Sequence, residues 1–132
     1  MRSWLWAYAA TLLAVGVLDA LWLGLVARDF YRTEMASIAL PEVRVLPAAL
    51  FYLLYPAALL ALSLVPLPDD WSGAAGRAAL VGLACYGMYD LTNLATLKPW
   101  SARLAAVDIS WGTTLSAVAG AAGFLAWERA PG

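Results

Sequence analysis

Four apolar stretches separated by polar punctuation set the pattern of the chain. They cover residues 4–27, 45–65, 74–97 and 104–127. At about 1.5 Å of rise per residue, each is long enough to cross the roughly 30 Å hydrocarbon core of a bilayer. A backbone in hydrocarbon must satisfy its own hydrogen bonds, so each stretch is read as a helix. The first connection, residues 28–44 (RDFYRTEMASIALPEVR), holds most of the charge. The second, residues 66–73 (PLPDDWSG), carries Pro66, Pro68 and Gly73, which stop one helix before the next begins. The third, residues 98–103 (KPWSAR), is a tight hairpin that makes its two helices antiparallel neighbours. The expectation is an all-α integral membrane four-helix bundle, with residues 1–132 forming one transmembrane domain.

Composition strengthens that reading. Hydrophobic residues make up 64% of the 132 positions and charged residues 13%. Soluble domains sit near about 45–50% and about 25%, so the chain lies on the membrane side of both values. A net charge of −1 offers no basic face for nucleic acid. Histidine is absent and Cys85 is the single cysteine, which excludes an intrachain disulfide and a zinc site built from Cys and His. No cofactor is expected. The first apolar run exceeds the roughly 7–15 residues of a cleavable signal core and is read as a span. Arginine outnumbers lysine seven to one and alanine is abundant, which points to a GC-rich prokaryotic genome and hence to the cell (inner) membrane.

The basic residues suggest an orientation. Arg28, Arg32, Arg44, Lys98 and Arg103 fall on one side, and Arg2, Arg77 and Arg129 on the other. Five against three places the first and third loops in the cytoplasm and both termini outside. Trp4, Trp6, Trp71 and Trp127 at the outer boundary, with Trp100 at the inner one, read as an aromatic belt. In the first loop, Tyr31, Met35 and Ile38 share a helical face, which suits a short interfacial helix or an irregular loop equally. Gly112, Ser116 and Gly120 recur every four residues and permit a close helix crossing, either within the bundle or with a second copy in a homo-oligomer.

Three aspartates interrupt the apolar stretches: Asp19, Asp90 and Asp108. An aspartate at the centre of a membrane helix costs about 2.5–3.5 kcal/mol, so such residues usually face the interior and mark a functional path. Counted from Arg28, Lys98 and Arg103, the three lie roughly 13, 12 and 8 Å from the same boundary. The second helix brings Tyr52 to that level. Tyr86, Tyr89, Asp90 and Asn93 form one stripe of the third helix, while Tyr52 pairs with Tyr55 just before a kink expected at Pro56. Trp22 and Trp111 stand three residues from Asp19 and Asp108, with Trp22 expected nearer the surface and Trp111 deeper. These ten residues outline a pocket with acidic and amide groups walled by rings, suited to a small apolar or cationic ligand or a lipid. Two plainer readings stand beside it. Asp108 can reach toward Arg103, and Asp19 toward Arg28 or Lys98. Alternatively, the polar groups simply hold helices together.

The segments YDLTNLATL at 89–97, VDISWGT at 107–113 and LDALWLGLV at 18–26 carry a resemblance. Through them nearly the whole chain resembles a family of small prokaryotic multi-pass membrane proteins classed as a domain of unknown function. The resemblance implies a four-helix membrane protein and supplies no activity. Small four-helix multidrug exporters have a similar length but rely on a membrane glutamate, whereas Glu34, Glu42 and Glu128 all lie outside the apolar stretches here.

Three functions follow. In the first, the aspartate layer binds a proton, a cation or a polar head group in a small transporter or binding protein. Asp90 and Asn93 are then the central ligands and Asp19 and Asp108 titrating partners. In the second, paired carboxylates serve a membrane enzyme acting on lipid or isoprenoid, with Mg²⁺ against a diphosphate as one use. No Lys or Arg within the layer would hold phosphate. In the third, the chain is an accessory subunit of a membrane complex. Proton flux, an altered lipid profile on deletion, and co-purification with a fixed partner separate the three.

Overall fold

The computed structural model describes residues 2–131 and is helical, with no strand among them. Helix α1 (Arg2–Leu21) runs straight into a π-helical turn at Trp22–Val26, closed by the Ala27 N–H donating to the Trp22 carbonyl at 2.7 Å. A short α2 (Arg28–Glu34) follows. Then come α3 (Val45–Leu64), α4 (Trp71–Thr96) and α5 (Ala102–Glu128). Three helical segments are long and apolar enough to cross a membrane: Arg2–Val26, Val45–Leu64 and Ala102–Glu128. Helix α4 is long enough but less apolar, because glycine, alanine, tyrosine, Arg77, Asp90 and Asn93 take positions that its neighbours give to leucine and valine.

Two helix starts lie earlier than the apolar pattern suggests, and a cap explains each. The Asp70 side chain accepts from the Gly73 N–H at 2.9 Å, so α4 begins at Trp71 and Gly73 belongs to its first turn. A Cβ at Gly73 would stand 2.9 Å from Pro68 Cβ, so the turn packs there only without a side chain. Ser101 Oγ accepts from the Leu104 N–H at 2.9 Å, which starts α5 at Ala102.

Helix α5 is the hub, packing on α4 most extensively and then on α1. Small residues make both contacts close. Gly82 lies against the Gly112 carbonyl and Ser116, Gly120 lies against Ala78, and Gly123 meets Thr11 and Leu60. The Gly112/Ser116/Gly120 face is therefore taken up by α4 within the chain. A homo-oligomer through that face would have to displace α4. Three apolar layers fill the bundle: Ala7, Leu60, Leu64, Ala74 and Phe124 at one end, Val15, Leu59, Ala78, Leu115 and Ala119 in the middle, and Trp100, Leu104 and Ala105 at the other end. Leu13, Val17, Leu54, Leu62, Leu80, Met88 and Leu91 project outward and exposed, as side chains facing lipid would. Gly120→Leu is expected to lower the melting temperature in detergent clearly, since overpacking costs about 1–3 kcal/mol even where neighbours can shift. An unchanged melting temperature would contradict the close crossing.

The first loop is helical only over α2 (Arg28–Glu34), and residues 35–44 are turns and irregular chain. Phe30, Tyr31 and Met35 pack on Trp100, Leu104 and Ala105, while Ile38 stays exposed. Ser101 Oγ donates to Glu34 at 2.8 Å and ties α2 to the α4–α5 hairpin. Trp100 is consequently buried at 6% exposure and is not a belt residue, because α2 lies over it.

Candidate functional site

Asp19 faces inward from α1 and is buried. Its Oδ2 accepts from the Tyr52 hydroxyl of α3 at 2.5 Å and its Oδ1 from the Trp111 indole N–H of α5 at 2.9 Å. One carboxyl group thus links three helices. Asp108 on α5 is half-buried and accepts from the Tyr31 hydroxyl at 2.8 Å, and that hydroxyl accepts from the Trp22 indole N–H at 3.2 Å. Burial, with the bond to Asp108 adding to it against the Trp22 N–H, pushes the Tyr31 phenol above its ordinary value. Tyr31 therefore stays protonated and remains a donor to Asp108.

Among the described residues, neither acid bonds to a basic side chain. Arg103 lies over the Phe30 ring, 5.2 Å from its centroid, instead of reaching back to Asp108. Trp22 and Trp111, expected at different depths, lie in contact. Their rings stack 4.5 Å apart and nearly parallel, at 6°. The π-helical turn begins at Trp22, and turns of this kind recur at functional positions in helices.

Between α1, α3, α4 and α5 lies a cavity of about 410 Å³. Asp19, Asp108 and Trp111 line it on one side, and Phe51, Tyr55, Tyr86 and Tyr89 on the other, with Leu23 and Cys85 completing the wall. Its size falls within the ~300–1,000 Å³ range of small-molecule pockets. Tyr55 is held by Ser116 Oγ at 2.6 Å and stacks on Phe51 at 5.4 Å between centroids. The Tyr86 ring rests on Gly112, where any Cβ would collide with it. No Lys or Arg lines this space.

Asp90 is placed differently from its stripe neighbours. It has no accessible surface and is not among the residues that line the cavity. The Asp108 carboxyl and the Trp100 indole lie beside it. Yet neither carboxyl oxygen of Asp90, nor the buried Trp100 N–H, has a hydrogen-bond partner among the described residues. Asn93 is half-buried beside the Tyr89 hydroxyl and also does not line the cavity. Of the ten residues singled out from sequence, six line the cavity: Asp19, Tyr55, Tyr86, Tyr89, Asp108 and Trp111. Tyr52 and Trp22 support it from behind. Sequence reasoning missed the roles of Tyr31 and Ser116, whose bonds join residues 77 and 61 positions apart in the chain.

The family described as "Predicted membrane protein (DUF2177)" matches residues 4–125, which include every residue of this site. The chain belongs to that family. No curated protein and no solved structure matches it. The cavity of this DUF2177 chain offers two carboxyl groups and an aromatic wall, with no Lys or Arg among the residues that line it.

Proposed function

We propose that the chain is a four-span protein of a prokaryotic cell membrane that binds a small apolar cation in the Asp19/Asp108 cavity and exchanges it for a proton. The observation that carries this reading is that two carboxyl groups from different helices open onto one ring-walled space without a basic residue. A quaternary or protonated amine is attracted both to a carboxylate and to the faces of aromatic rings. Asp19 is held by two donors, whereas neither carboxyl oxygen of Asp90 has a hydrogen-bond partner among the described residues. When a cation arrives at a protonated carboxyl, its O–H proton leaves and one positive charge replaces another. Asp108, between the cavity and Asp90, is the natural group to pass that proton. The same cavity is poorly suited to a diphosphate substrate, since no Lys or Arg is present to hold it.

The exposed leucines and Met88 on α4 support its reading as a fourth span. Arg2 Nη1 donates to the Pro131 carbonyl at 3.4 Å, which supports both termini lying on one face, outside by the distribution of basic residues. A cysteine-accessibility scan should label positions 2 and 128 from the same side; labelling from opposite sides contradicts four spans. Proteoliposomes should acidify or alkalinise their lumen when a lipophilic amine gradient is applied, and Asp19→Asn should abolish that flux. Flux that is equal in the variant would remove Asp19 from the exchange.

A further inference from the structure

The cavity wall divides into a covered half and an open half. Asp19 is buried, and Tyr55, Tyr86, Asp108 and Trp111 are half-buried. Phe51, Tyr89 and Leu23 are 38%, 52% and 42% exposed, and Cys85 is exposed as well. Phe51 sits on α3, and Cys85 and Tyr89 on α4, so the opening lies along the α3–α4 seam. That seam is closed further along. Leu59 and Leu64 of α3 pack in the same layers as Ala78 and Ala74 of α4, and the Arg77 guanidinium donates to the carbonyls of Ser63 and Pro66. The side chains flanking the opening, Leu50, Leu54 and Met88, are exposed and apolar. On the α5 side, α2 covers the hairpin with Phe30, Tyr31 and Met35.

Resting on the cation-binding reading above, we infer that the cavity admits its ligand sideways from the bilayer between α3 and α4, and that the ligand is an amphiphile. Its cationic head lies between Asp19 and Asp108 against the Trp111 and Tyr86 rings, and its apolar tail remains in lipid beyond Phe51 and Tyr89. Charge complementarity selects the head: two carboxyl groups and no cation line the space, so an anionic head group meets only repulsion. The opening selects the tail. An exposed rim of Phe, Leu and Tyr in a spanning segment faces hydrocarbon, where a tail costs nothing to leave in place and a hydrophilic ion has no path. The shared chemistry is an ammonium head on an apolar tail, carried either by a two-chain lipid or by a single-chain lipophilic amine.

Cys85, the single cysteine, stands on this rim and allows a direct test in the full-length protein. A nitroxide attached to it in phosphatidylcholine vesicles should collide readily with lipid-soluble oxygen and hardly at all with a water-soluble nickel chelate. Dodecyltrimethylammonium or a two-chain trimethylammonium lipid should lower the oxygen collisions severalfold, and whichever acts identifies the source of the head group. Dodecyl sulfate, at the same share of the bilayer, should not. The tryptophan fluorescence of unlabelled protein, titrated with the same series, guards against a label that blocks the cavity. Free access of the nickel chelate, or an equal response to tetramethylammonium supplied from water, overturns lateral admission while leaving the cation site standing. If no cation alters either signal, both the lateral route and the cation site are wrong.

Discussion

Asp19→Leu should lower the stability of the bundle more than any other single change in the site, while Asp19→Asn should leave it folded and unable to bind a cation. The leucine variant leaves the Tyr52 hydroxyl and the Trp111 indole N–H without their acceptor. An unsatisfied buried group costs about 1–3 kcal/mol, so two orphaned donors at one point should cost about 2–6 kcal/mol together. The asparagine variant has nearly the same shape and keeps one carbonyl acceptor, but it can neither ionise nor give up a proton. Thermal unfolding in detergent separates the two effects. Equal melting temperatures for wild type and Asp19→Leu would mean that the three-helix junction does not hold the bundle, and cation binding by Asp19→Asn would remove its charge from the mechanism.

The second large effect is expected at Asp90, and its signature is the opposite. Both its oxygens are buried without a hydrogen-bond partner among the described residues, so an amide of the same shape can take its place beside Asp108 and Trp100. Asp90→Asn should melt at or above the wild-type temperature. Ligand-driven proton release, followed with a pH-sensitive dye in weak buffer, should fall severalfold, because the acid beside Asp108 is gone. A stable variant with undiminished proton release would reduce Asp90 to an inert buried group. A loss of about 3–5 kcal/mol would instead reveal an ion pair, since that is the usual cost of removing one partner from a buried pair.

Three membrane-length helices were legible because length and apolarity decide whether a segment can sit in a bilayer, whereas α4 meets the length alone. Counting from charged boundaries brings Asp19 and Asp108 toward one level, and both line the cavity. What the pattern could not provide was helix rotation. Tyr86, Tyr89, Asp90 and Asn93 share a stripe broad enough to have two edges. Packing of Gly82 and Ala78 on α5 turns that stripe so that Tyr86 and Tyr89 reach the cavity and Asp90 is buried to one side of it. Asp90 and Asn93 therefore stand outside the cavity lining, and the proposed cation site rests on Asp19 and Asp108.

Trp100 shows a second limit. A tryptophan next to a basic residue at a helix end fits an aromatic belt by position, and only the return of α2 across the hairpin buries it. Tyr31 depends on the same return. Its place on the amphipathic face of the first loop was readable, but its bond to Asp108 arises from tertiary folding. The π-helical turn at Trp22 left no mark in the apolar period, although it sets the Trp22 ring against Trp111.

The central claim is that Asp19 and Asp108 together bind a cation in competition with protons. The most direct test is the affinity for dodecyltrimethylammonium, read by tryptophan fluorescence of the purified protein from mildly acidic to mildly alkaline pH. Cation and proton compete for the same carboxyl groups on this account, so the affinity should rise with pH. In the Asp19→Asn, Asp108→Asn double variant it should be at least about tenfold weaker, a difference of about 1.4 kcal/mol, and independent of pH. Equal affinity in wild type and double variant at every pH would contradict the account.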